Sequence, residues 1–233
     1  MILVGVPMRD ETPSQWHLHW LQMGWMPRGA VLLPRVGTLV HESRNRIVEE
    51  ALGIQGWKTL VMLDADVFPP PHEECPHDAL EFIAEYEAED VPVVGPLCYG
   101  RSMVHPTPVA GHFASDSTYC RLSDQQHDGL EADPGLHPVD VLGMGMVCIR
   151  RDVFEALEPP WFHHPVVDGR VLGEDHQFYR RVKQAGIPVR LDTRWHALHL
   201  GQLFYGKRTY RMWRAGHEAG ERDPGTAEAA APR

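Results

Sequence analysis

The chain has 233 residues and a formal net charge of −10, with 43% hydrophobic and 23% charged residues. That length suits one substantial core, and that composition excludes a wholly disordered or collagen-like chain. The acidic balance, with no run of Lys or Arg, argues against a partner held mainly through phosphates, so a nucleic acid acceptor is disfavoured. Cys75, Cys98, Cys120 and Cys148 form no C-x-x-C pair, which speaks against a zinc or dithiol site and for reduced thiols in a cytoplasm. No stretch approaches the ~20 apolar residues of a transmembrane segment. The apolar Met1 to Val6 lacks the basic start and the length of a signal peptide.

Ile2 to Val6 reads as a buried first strand, which puts Pro7, Met8 and Arg9 at its C-terminal edge, where ligands of open α/β sheets bind. Ser43 is the expected N-cap of a helix whose Ile47, Val48, Ala51 and Leu52 share a face. Arg44 and Arg46 then fall in a first turn, where the helix dipole disfavours cations, so another reason must hold them there. Thr59 to Leu63 is a second buried strand; it runs into Asp64-Ala65-Asp66 and is stopped by Pro69-Pro70-Pro71. A helix at about 76–88 and a strand at 92–97 follow. This rhythm predicts an α/β fold with a mostly parallel central sheet flanked by helices, in a single Rossmann-like domain of residues 1–221.

Residues 100–138 break into His, Pro, Gly, Ser and Asp, as a functional loop or a small excursion of strands would. Order returns with a strand at 139–142, the Gly143-Met144-Gly145 turn, a strand at 146–149 and a short helix at about 152–157. Glu174 to Ala185 is predicted as a helix opening on two carboxylates and ended by Gly186. A strand at 189–191 precedes Trp195 to His199, and residues 222–233 read as a disordered tail.

Each candidate residue has a bland reading beside a chemical one. Two acids at a strand end often only face solvent or cap a helix. Strand alternation, however, points Asp64 and Asp66 to the same side, and two hard oxygen ligands there suit Mn²⁺ or Mg²⁺ with positions left for substrate phosphates. Glu174 and Asp175 gain from the helix dipole without any chemistry; facing a cleft, such a carboxylate could also take the proton of an attacking hydroxyl. His199 is one of 15 histidines, and imidazole beside carboxylates favours Mn²⁺ over Mg²⁺. Arg44 and Asn45 carry the donors and acceptors that a diphosphate or a sugar hydroxyl needs, or they line a solvated turn. Gly143 and Gly145 either let backbone approach a sugar or serve a tight turn sterically.

In order, these segments resemble the GT-A glycosyltransferases, particularly the family 2-like group. Ser43-Arg44-Asn45-Arg46-Ile47-Val48 is similar to that group's Arg-Asn helix start, and Leu63-Asp64-Ala65-Asp66 to its metal-binding D-x-D strand end. Val139-Asp140-Val141-Leu142-Gly143-Met144-Gly145-Met146, continuing through Ile149 to Phe154, resembles its acceptor-side strand and helix. Gly173-Glu174-Asp175-His176-Gln177-Phe178 resembles its catalytic helix, and His199-Leu200-Gly201 its late metal-ligand histidine. The likeness covers about residues 2–203.

The resemblance implies a GT-A domain that moves a hexose from a nucleotide diphosphate sugar to a hydroxyl acceptor of unknown identity, by an inverting route, with a retaining one as the alternative because related folds place an acid at a similar helix start. It implies Pro7, Met8 and Arg9 near the nucleotide base, and Arg44 and Asn45 near the diphosphate or sugar. Asp66 and His199 would hold the metal, with Asp64 nearer the ribose or the metal. Gly143, Met144 and Gly145 would meet substrate. Asp175 is the implied general base and Glu174 its understudy. The acid that often reads uracil in this group is missing, which leaves the base open. Two other readings use the same residues: a nucleotidyltransferase, and a catalytically silent module that binds sugar nucleotides.

Overall fold

β1 (Ile2–Met8) and β2 (Val31–Val36) are followed by α1 (Val40–Gly53), β3 (Thr59–Leu63), the two-residue β4 (Val67–Phe68) and α2 (Ala79–Ala88). The middle of the chain forms β5 (Val93–Leu97), the hairpin of β6 (Ala110–Ser115) and β7 (Thr118–Arg121), α3 (Asp124–Ala132), β8 (Leu136–Val139), β9 (Val141–Leu142) and β10 (Met146–Arg150). Then come α4 (Arg151–Ala156), a small hairpin of β11 (Val166–Val167) and β12 (Arg170–Val171), and α5 (Glu174–Gln184). β13 (Val189–His196), β14 (Leu198–Leu200), β15 (Phe204–Tyr205) and α6 (Lys207–Glu218) follow. The computed structural model describes residues 1–8, 30–37, 39–68, 79–102, 106–115, 118–167, 169–201 and 204–218. Arg9, the Pro69 to Pro71 stop, Cys75 and the expected tail at 222–233 lie outside them.

Seven strands form one sheet in the order β2-β1-β3-β10-β5-β13-β8. Five of them run one way, while β10 and β8 run against their neighbours. The expected mostly parallel α/β sheet is therefore present, and β1, β3, β5 and β13 end on a common edge. Burial on both faces explains the continuous apolar runs. In β3, Leu60 and Met62 enter one core with Ile47 and Phe178, while Val61 and Leu63 enter a second core with Ile83, Tyr86 and Trp195. Gly5 is the point of closest approach for α1: a Cβ there would lie 2.4 Å from Ile47 Cγ2.

Several expectations are corrected. α1 begins three residues before Ser43; Leu39 is its N-cap and offers no side-chain hydrogen bond. Ser43 is instead a buried residue inside the helix, and Arg44 belongs to its second turn. The strand expected at 139–142 is divided at Asp140: β8 pairs with β13 in the main sheet, whereas β9 pairs with β6 in a smaller one. The irregular 100–138 region does hold a small excursion of strands, the β6–β7 hairpin, and adds the unexpected α3, opened by a Ser123/Gln126 capping box. Its helix carries few apolar residues and buries mainly His127, so no apolar stripe announced it.

Candidate active site

Strand register assembles the site. β3 ends at Leu63, and Asp64, Ala65 and Asp66 turn the chain into β4, the turn being closed by Val67 N–H donating to Asp64 O at 3.0 Å. β14 pairs antiparallel with β4 so that His199 stands opposite Val67, and Leu200 N–H donates to Asp66 O at 2.8 Å. His199 Nε2 thereby comes 3.6 Å from Asp66 Oδ1. The His199 Nδ1 atom lies 3.1 Å from Tyr99 O. A carbonyl can only accept, so Nδ1 carries the hydrogen in that contact and Nε2 is the ring nitrogen turned to Asp66. On the other side, Arg101 Nη1 donates to Asp66 Oδ2 at 2.5 Å. Burial works to raise the Asp66 carboxyl, but His199 and Arg101 outweigh it and hold it below its ordinary value.

Asp64 has a different partner. Arg44, only 3% exposed, donates from Nη2 to Asp64 Oδ1 at 2.7 Å and from Nη1 to Glu174 Oε1 at 2.6 Å. This is the reason sought for an arginine in α1: its guanidinium ties the end of β3 to the start of α5. Burial opposes the Arg44 charge, yet Asp64 and Glu174 overcome it and raise its pKa. For Asp64 the balance is reversed: burial dominates the pull of Arg44 and, with repulsion from Asp66, raises its carboxyl.

α5 starts at Gly173, an N-cap without a side chain to offer. Asp175 supplies the missing acceptor, its Oδ1 taking His176 N–H at 2.7 Å. A Cβ on Gly173 would sit 2.7 Å from that Oδ1, so glycine is what leaves the carboxylate its place. Tyr119 of β7 packs on His176 with ring centroids 4.8 Å apart. His164 Nε2 lies 3.5 Å from Glu174 Oε2. Arg101, Tyr119 and His164 were not read as site residues in the sequence. Only Arg101 had a usable signal, since it follows the C-terminal end of β5 on the ligand-binding edge.

The remaining candidates divide. Asn45 Nδ2 donates to Phe162 O at 2.7 Å, and Asn45 Oδ1 accepts Phe162 N–H at 3.0 Å. Its amide thus pins the segment before β11, where a contact with diphosphate or sugar was expected. Pro7 and Met8 complete β1 as buried residues, Met8 in the second core. In the Gly143 to Gly145 turn, Gly145 O accepts Asp64 N–H at 2.8 Å, and a Cβ on Gly145 would come 2.8 Å from Val67 Cγ2. A Cβ on Gly143 would come 3.1 Å from Val109. Met144 is buried. The turn therefore packs on the Asp64 to Val67 segment itself.

The donor set fits a divalent cation. Among the described residues no group of three His, Cys, Asp or Glu side chains gathers as a metal cluster; Asp66 and His199 form a pair, with a guanidinium standing in as the cation. One carboxylate and one imidazole nitrogen are ligand types that suit Mn²⁺ with positions kept open for phosphate oxygens.

No family model matches the sequence, and no curated protein matches it. Solved structures do match the fold. A197 from STIV aligns with a TM-score of 0.58 and 17% identity, over 86% of this chain and 85% of that one. GalNAc-T7, solved with UDP, GalNAc and Mn²⁺, aligns with a TM-score of 0.55 and 15% identity, over 86% of this chain and 43% of that one. The fold is a GT-A-like domain. No helix among the described residues is long and apolar enough to cross a membrane.

Proposed function

We propose that the chain is a metal-dependent glycosyltransferase that moves a hexose from a nucleotide diphosphate sugar to a hydroxyl acceptor with inversion, in a cytoplasm. The observation that carries this reading is the convergence of Asp66 and His199 at 3.6 Å on the edge where the parallel strands end. A protein of the same fold, GalNAc-T7, holds UDP, GalNAc and Mn²⁺, which supports the donor and metal class. The free thiols of Cys98, Cys120 and Cys148 support a reducing compartment.

Asp66 and His199 would hold Mn²⁺ or Mg²⁺, which when bound offsets charge on the departing diphosphate. The other roles belong to the chain. Arg44 pairs with both Asp64 and Glu174 and fixes the catalytic helix against the D-x-D turn. Asp175 is the general base: one of its oxygens is anchored by His176 N–H, and the other can accept the acceptor's hydroxyl proton. Glu174 is the poorer candidate, because its Oε1 is already committed to the Arg44 guanidinium at 2.6 Å.

A thermal-shift screen of UDP- and GDP-sugars with Mn²⁺ identifies the donor, and release of nucleoside diphosphate from it measures turnover. Asp175→Asn is expected to keep the donor-induced shift and lose turnover; Asp66→Ala or EDTA is expected to lose both. Full turnover after any of these changes would sink the reading.

A further inference from the structure

We propose that Arg101 is an exchangeable counter-cation of the candidate metal site: it neutralises Asp66 before a divalent ion arrives and, once displaced, turns its guanidinium to the donor's diphosphate. The proposal rests on the metal-binding reading of Asp66 and His199.

Each acid of the Asp64-Ala65-Asp66 turn has its own arginine, and the two differ in kind. Arg44 is 3% exposed, both of its terminal nitrogens are committed, and it clamps two elements. Arg101 is 51% exposed, and among the described residues its one ion pair is through Nη1 to Asp66 Oδ2 at 2.5 Å. The first is a fixed part of the fold. The second is a surface ion pair that solvent loosens and that costs little to break.

The geometry on Asp66 says why a cation sits there and why it must leave. Oδ1 lies 3.6 Å from His199 Nε2, so a carboxylate and an imidazole nitrogen bracket one position on the sheet edge where a cation can sit. A divalent ion between them supplies twice the charge of a guanidinium, and two cations on one carboxylate repel each other. Metal and Arg101 therefore compete for Asp66. Freed from Asp66, the five-donor fork lies beside whatever phosphates the metal recruits, a group it matches in charge and shape.

The test uses the full chain as wild type, Arg101→Ala, Arg101→Lys and Asp66→Ala. Mn²⁺ binding without nucleotide is followed by the loss of the free-ion EPR signal, and binding of inorganic pyrophosphate at saturating Mn²⁺ by calorimetry. Arg101→Ala is expected to bind Mn²⁺ about two- to fivefold more tightly, because the competitor is gone. It should bind Mn²⁺-pyrophosphate about tenfold more weakly. Arg101→Lys should bind Mn²⁺ much as wild type does and recover part of the pyrophosphate affinity. If Asp66→Ala loses Mn²⁺ while Arg101→Ala leaves both affinities within about twofold of wild type, the role of Arg101 falls and the metal reading stands. Tighter Mn²⁺ with unchanged pyrophosphate removes the diphosphate role. If Asp66→Ala binds Mn²⁺ as wild type does, or no form binds it, the metal reading falls and this inference with it.

Discussion

Arg44 and Glu174, 130 residues apart in the chain, meet at 2.6 Å, and the same guanidinium reaches Asp64 at 2.7 Å. One buried cation thus sets the distance between the D-x-D turn and the start of α5. Such a pair adds little stability over a well-packed apolar core, but removing one partner strands the others in a poor solvent for charge.

Arg44→Met is therefore expected to destabilise the chain by about 3 kcal/mol, the lower end of what a broken buried ion pair costs, since Asp64 keeps some access to water. The denaturant midpoint should fall and turnover should be lost with it. Arg44→Lys retains the charge but not the two-pronged geometry, and belongs between the two. An unchanged midpoint for Arg44→Met would contradict the clamp.

The two acids of the turn should respond to pH in opposite directions. The Asp66 carboxyl is held below its ordinary value, so its contribution is present above that value and disappears as pH falls through the lowered one. The Asp64 carboxyl is raised, so its folded form binds a proton more readily; that contribution is present below the ordinary value and disappears as pH rises through the raised one. Thermal midpoints measured across the acid range should show Asp66→Asn flattening the loss of stability at low pH. Asp64→Asn should steepen it. The same sign for both variants would refute the assignment.

Much of this arrangement was legible in the sequence, and the illegible parts have physical reasons. The apolar runs of β1, β3, β5 and β10 gave the sheet, because strands buried on both faces need no polar alternation. Asp66 and His199 could be paired only through resemblance, since a ladder between β4 and β14 creates their contact and no local pattern encodes it. β2 carries Pro34 and exposed residues suited to an edge strand, which conceals it. α3 spends its inner face on His127, so its Ser123-x-x-Gln126 box was the one readable sign. Asn45 shows the limit of reasoning from chemistry: an amide suited to a sugar is equally suited to a backbone.

Asn45→Ala distinguishes those two uses. Losing both bonds to Phe162 leaves a main-chain N–H and C=O without partners, a cost of about 2 kcal/mol. Nucleotide-sugar affinity, read by calorimetry below the melting range, should stay within about threefold of wild type, less than the loss of one hydrogen bond to a ligand. A large loss of affinity with an unchanged midpoint would return Asn45 to the donor site.

Gly145 tests whether the Gly143 to Gly145 turn serves the site by packing. A Cβ at Gly145 would lie 2.8 Å from Val67 Cγ2, and Val67 is buried and stiff at χ1, so it cannot turn aside. Val67 follows Asp66 directly and stands opposite His199 in the β14–β4 ladder. Gly145→Ala should cost about 1–3 kcal/mol by overpacking and weaken Mn²⁺ binding by displacing Asp66 from His199. Val67→Ala removes the obstructing methyls at the cost of a cavity. In the double variant the inserted methyl occupies that cavity, so the two costs should fall short of their sum. Strict additivity in denaturant midpoints would show that Gly145 is there for the turn alone and that its closeness to Val67 has no part in holding the D-x-D segment.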